Sequence, residues 1–166
     1  MTAPVGLAAV TAGIVTCFAP EQNCALLAIG AIDAAGSEIL VNAYAFTLGS
    51  GIPGALIRAH DRRVDVAVIA DKWTPCERQE GVDALAAAGI PVWIDTRARI
   101  GHEKALIIDH RVTIEGSYNF SAGAARNSED LNLVTSPQVA DAYSVHWWAR
   151  KAIAVPFGEA SRWCRR

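Results

Sequence analysis

Apolar residues recur along this chain in two rhythms. Short runs rich in β-branched residues occupy 13–18 (GIVTCF), 38–46 (EILVNAYAF), 64–70 (VDVAVIA) and 91–95 (PVWID). They have the length of strands, and the run at 38–46 is nearly continuous, the pattern of a strand covered on both faces. Between them lie segments with helical spacing at 21–36, closed by Gly36, at 54–63 and at 81–89. Such alternation predicts an α/β layer fold. Beyond residue 100 the rhythm changes. Residues 104–117 (KALIIDHRVTIEGS) predict two strands joined by a tight turn at 109–111, and 130–135 predicts one more strand. A closing helix is expected over 137–153, with Pro137 near its start. The expectation is a mixed, largely parallel sheet of about seven strands, flanked by helices on both faces.

No linker or internal repeat divides the 166 residues, so 13–166 reads as a single domain. Residues 1–12 are small and apolar without a basic start, and read as a flexible arm or a signal-peptide remnant. A chain 52% hydrophobic and 19% charged is globular rather than disordered. Its net charge of −2 supplies no global basic field, so an anionic ligand has to be held by local groups. No apolar run approaches the roughly 20 residues of a membrane helix. The glycines of LGSGIPG (48–54) match neither phosphate-loop nor dinucleotide spacing and read as a turn.

Four cysteines, Cys17, Cys24, Cys76 and Cys164, fit no zinc spacing. Either they are buried or free thiols, or Cys17 and Cys24, which bracket the loop FAPEQN, form a disulfide. The second choice would favour a periplasmic or secreted location, with the cytoplasm left open.

Chemistry concentrates in GHEKALIIDHRVTIEGSYNFSAG, residues 101–123. His102 and Lys104 lie two apart, so on an extended chain they face one spot. After the turn the second strand returns beside the first, bringing Ser117 and Asn119 to the same end. Lys104 can neutralise a phosphoryl oxygen, and Ser117 and Asn119 can donate hydrogen bonds as phosphorus becomes five-coordinate. His102 can attack or shuttle a proton. This set requires no metal or cofactor. Asp109 falls at the far end of the hairpin and reads as structural, in a turn or an ion pair with Arg111. His110 reads as a solvated turn residue, and His60 and His146, on helices, as surface or core groups.

The full pattern H102-x-K104-x4-D109-x6-G116-S117-x-N119, continued by SAGAARNSEDLNLV, resembles the signature of the phospholipase D superfamily. Further likeness, to its small bacterial Nuc-type endonucleases, lies in CFAPEQNC, ILVNAYAFT, RRVDVAVIAD, AGIPVWID and the HWW helix. The resemblance implies that His102 forms a phosphohistidine intermediate and that Lys104, Ser117 and Asn119 bind the phosphate. It also implies that Glu129 is the carboxylate that orients the imidazole. Larger members of that superfamily carry two copies of the motif and this chain carries one. The resemblance therefore implies a homodimer with a composite active site.

A phosphodiester is recognised by such a site, whatever is attached to it. Arg97, Arg99, Arg111 and Arg126 flank the motif and are candidates for tracking a nucleic-acid backbone. Tyr118 and Phe120 alternate with polar residues, Phe120 reading as core. The leading expectation is a metal-independent, non-specific endonuclease acting on DNA or RNA. The alternatives are a phospholipase D acting on lipid and a non-catalytic nucleic-acid-binding dimer.

Overall fold

A computed structural model describes residues 13–74 and 80–160. Cys76, Cys164 and the arm expected over 1–12 lie outside the described residues. The strands are β1 (Gly13–Ala19), β2 (Glu38–Ala43), β3 (Asp65–Asp71), β4 (Val92–Asp95), β5 (Lys104–Ile108), β6 (Val112–Gly116), β7 (Glu129–Thr135) and β8 (Val155–Pro156). The helices are α1 (Cys24–Asp33), α2 (Ile52–Asp61), α3 (Glu80–Ala87), α4 (Pro137–Lys151) and α5 (Phe157–Ala160).

The strands form one mixed sheet in the order β1-β7-β6-β5-β2-β3-β4-β8. The α/β class holds, with one more strand than expected and a different balance of directions. Only β2–β3 and β3–β4 pair in parallel, and the other neighbours are antiparallel. The expected excess of parallel pairing came from treating β1–α1–β2 as a crossover between neighbours. Instead β1 lies at the sheet's edge against β7, and β5 runs antiparallel beside β2. Alternation along the chain does not choose a strand's neighbour.

Side-chain alternation explains why helices cover both faces. Ile39 and Val41 of β2, Val66 and Val68 of β3, and Leu106 and Ile108 of β5 join the core under α1, α2 and α3. Leu40, Ile69 and Ile107 point the other way and pack with Trp147 of α4. Trp147 is fully buried and its Nε1 donates to Val41 O at 3.0 Å. The closing helix starts as expected, with Pro137 in its first turn and the Ser136 hydroxyl accepting from Val139 N.

Cys17 and Cys24 are joined in a disulfide that ties the edge strand β1 to the start of α1. Closing so small a loop contributes about 2.5 kcal/mol by chain entropy. Thiol titration of the unreduced, denatured protein is expected to find no more than the thiols of Cys76 and Cys164. Four reactive thiols would contradict the bond.

Asp109 sits in the β5–β6 turn, where it and His110 both adopt φ 52°. Those left-handed conformations suit a tight hairpin. The expected ion pair with Arg111 is replaced by a set of hydrogen bonds. Asp109 accepts from Gly36 N (2.9 Å), Ser37 N (2.8 Å), Ser37 Oγ (2.7 Å) and Glu38 N (3.0 Å). Partial burial works to raise its pKa, but the donors at Glu38, Gly36 and Ser37 outweigh it and hold the carboxyl at about 2. A lowered carboxylate pKa stabilises the fold above the unfolded value, near 3.8, and the gain is lost as pH falls toward 2. Asp109→Asn should therefore lose about 1–2 kcal/mol at neutral pH and show a flatter stability profile between these limits. Denaturant melts of both proteins across that range test it, and parallel profiles would contradict it.

Candidate active site

The ends of six strands meet at one edge of the sheet. Ala43 at the end of β2 pairs with Lys104 at the start of β5 and with Ala70 in β3. Asp71 pairs with Asp95, and Gly116, closing β6, pairs with Leu131 in β7. The carboxyl ends of the parallel strands thus open on the same side as the outer ends of the hairpin. In open α/β sheets this is the side where ligands bind.

His102 precedes β5 rather than lying within it, and its side chain is exposed. Its ring lies against Tyr44 at a tilt of 56°, with centroids 4.5 Å apart. Lys104 is buried, its Nζ lying 4.9 Å from the centre of the same tyrosine ring. That ammonium also donates to His102 O at 2.6 Å. Burial pushes the Lys104 pKa below the ordinary lysine value, and the negative charge of Glu129 partly offsets the shift. Imidazole and ammonium are thus gathered on one aromatic face, with Glu129 within electrostatic reach.

Gly116 closes β6 at φ 151°, and a Cβ there would collide with Asp130 O. Only glycine lets β6 approach β7 this closely. Just beyond it, Ser117 Oγ donates to Glu129 Oε2 at 2.5 Å and accepts from Asp130 N at 3.0 Å. Asn127 Nδ2 donates to the other Glu129 oxygen at 3.1 Å. The carboxylate expected to orient His102 is therefore held by Ser117 and Asn127. A hydroxyl already inside the strand end is a nearer partner than the imidazole of the same chain. Asn119 Oδ1 is buried without a hydrogen-bond partner among the described residues.

Other assignments sort by position. Arg97, Arg99 and Arg126 are exposed, whereas Arg111 belongs to the turn at the opposite end of the hairpin. His110 is there too, paired with Glu38 at 3.1 Å rather than simply solvated. His60 adjoins the start of β3, away from the cluster. Tyr118 and Phe120 are both core side chains.

Sequence reasoning missed three groups. Tyr44 was absorbed into a strand expected to reach residue 46, yet β2 ends at Ala43. A lone polar aromatic closing an apolar run was the available signal. Glu103 carried no assignment, and His146, expected as a surface or core group, meets it at 2.8 Å beside a cavity of about 210 Å³ that His102 also lines.

An α/β sheet presenting histidine, buried lysine, serine and asparagine at one edge defines a phosphoryl-handling enzyme. The comparisons make the class specific. Residues 28–150 match the family described as cardiolipin synthase, PLD-like domain. A phospholipase D of Rickettsia bellii is 36% identical over 138 residues, covering 82% of this chain and 68% of that protein. The crystal structure of Nuc from Salmonella typhimurium, a phospholipase D family member, is similar at a TM-score of 0.82 and 30% identity. That match covers 88% of this chain and 98% of Nuc. NucT from Helicobacter pylori shares the fold at a TM-score of 0.80 and 21% identity, over 88% of this chain and 99% of NucT. The chain belongs to the phospholipase D superfamily, and its activity class is that of the phosphodiesterase hydrolases.

Proposed function

We propose that the protein is a non-specific endonuclease that cleaves phosphodiesters through a phosphohistidine on His102. The observation that carries this reading is the placement of His102 and Lys104 together on Tyr44, at the strand ends where Ser117 and Asn119 follow β6. Lys104 supplies positive charge to a phosphoryl oxygen, and the Asn119 side chain, whose Oδ1 has no hydrogen-bond partner among the described residues, can turn its amide N–H to donate to a bound phosphate. His102 attacks phosphorus, the P–O bond to the leaving oxygen breaks, and water then cleaves the P–N bond. The leaving oxygen takes a proton from a second imidazole, and one chain carries one motif. A two-fold homodimer would bring two copies together. Ala122, Gly123 and Ala125, small and exposed beside Asn119, allow a close approach.

Nucleic acid is favoured by exposure at this edge. His102 and Ser117 reach solvent, as do Arg97, Arg99 and Arg126, whose charges suit a phosphate backbone. A lipid phosphodiester is the second reading, supported by relatives named phospholipase D. The Cys17–Cys24 bond suits an oxidising location, periplasmic or extracellular.

The charge stabilisation assigned to Lys104 and Asn119 leads to a direct test. Single-stranded DNA, duplex DNA, RNA and phosphatidylcholine vesicles are each incubated with the protein in EDTA. Nucleic-acid cleavage is expected to persist in chelator. Activity only on vesicles would transfer the reading to lipid, and activity restored only by added metal would overturn the mechanism.

A further inference from the structure

His102 occupies an awkward place. The regular ladder of β5 begins only at Lys104, so no strand pairing fixes the residue that carries the imidazole. Its position depends on its two neighbours. Before it, Gly101 N donates to Asp71 at the end of β3. After it, Glu103 projects to the opposite face from Lys104, which lies against Tyr44. That is the face covered by α4. There Glu103 Oε2 accepts from Asn42 Nδ2 at 2.5 Å, and Glu103 Oε1 meets His146 Nε2 at 2.8 Å. Asn42 is buried in β2, so one of the two anchors lies within the sheet itself.

The other anchor is firm as well. Helix α4 is pinned in the turn that follows His146, with Trp147 Nε1 bonded to Val41 O and Arg150 Nε donating to Asp95 at 2.8 Å. Asn42, Glu103 and His146 therefore form a bridge from β2 through the His102 loop to α4. Each Glu103 oxygen has a different element as its partner, so a shift of the loop strains one bond or the other. Glu103 is bonded to His146, and a carboxylate has no evident role in binding phosphate.

We infer that Glu103 and His146 are positioning residues that hold His102 in its attacking geometry by anchoring its loop to β2 and α4. The inference rests on His102 as the nucleophile. Misplacing a reacting group by about an ångström can cost on the order of a hundredfold in rate, whereas removing a half-exposed ion pair costs little stability. Catalysis and folding should thus separate on substitution.

The full chain is assayed on bis(p-nitrophenyl) phosphate, whose phenolate departs without a proton donor, so a lost proton transfer does not mimic a lost position. His102→Ala, His146→Ala, His146→Gln, Glu103→Ala and the unaltered protein are compared, with thermal melting of each. His146→Ala and Glu103→Ala are expected to lower kcat by about tenfold to a hundredfold, with KM within about twofold. The melting midpoint of His146→Ala should stay close to that of the unaltered protein, whereas Glu103→Ala, which leaves the buried Asn42 amide without its acceptor, should melt somewhat lower. His146→Gln should recover most of the rate, because its amide can still donate to Glu103. An unchanged kcat in both alanine variants, a change confined to KM, or a glutamine variant as impaired as the alanine one would overturn the inference. An active His102→Ala would instead sink the nucleophile assignment beneath it.

Discussion

His102→Ala should be more than a hundredfold slower than the unaltered protein, a loss of at least about 3 kcal/mol of transition-state stabilisation. No neighbouring group can take over its attack. Lys104 is cationic and buried, and the Ser117 hydroxyl is committed to Glu129. Rapid-quench mass spectrometry of the unaltered protein should find an acid-labile phosphoryl group on the peptide that contains His102. Lys104→Ala should also abolish turnover, but by removing charge beside the phosphoryl oxygens, so no adduct accumulates. A stable adduct on another peptide, or near-normal turnover by His102→Ala, would end the covalent mechanism.

A mixed dimer of one unaltered chain and one His102→Ala chain should be nearly inactive on an oligonucleotide. Proton balance requires this, because one imidazole must be neutral to attack while another must be charged to protonate the departing alkoxide. Two identical histidines facing across a two-fold axis could share a single proton and so meet both conditions at once. Removing one side chain leaves either an attacker without an acid or an acid without an attacker. Differently tagged chains, co-purified and assayed at concentrations where exchange is slow, give the measurement. Half the activity remaining, or full activity in a sedimenting monomer, would show that each chain completes its own chemistry.

Much of the site was legible in the sequence because its geometry is local. His102, Lys104, Ser117 and Asn119 sit on or beside one hairpin, and a hairpin's register follows from its turn and its alternation. The same logic placed Asp109 at the remote end. What escaped depended on contacts between distant segments. Tyr44 reaches the site because β2 ends beside the start of β5, a pairing that no periodicity in either segment announces. His146 meets Glu103 only because α4 covers one particular face of the sheet. The edge position of β1 was hidden for the same reason, since its partner β7 lies more than a hundred residues away. Glu129, whose role came from the resemblance alone, opens β7, and its bonds within the chain go to Ser117 and Asn127.

The interval between Lys104 and Asp109 can be read as a length. The five residues of β5 span roughly 17 Å, which is the distance from the reacting edge of the sheet to the loop that Asp109 secures on the other side. One residue fewer would leave either the ammonium short of Tyr44 or the carboxylate short of Ser37. It would also turn every intervening side chain to the wrong layer, driving Leu106 toward α4 and Ile107 toward α1. The four residues between the lysine and the aspartate, all buried, are therefore fixed in number, because together they set that separation.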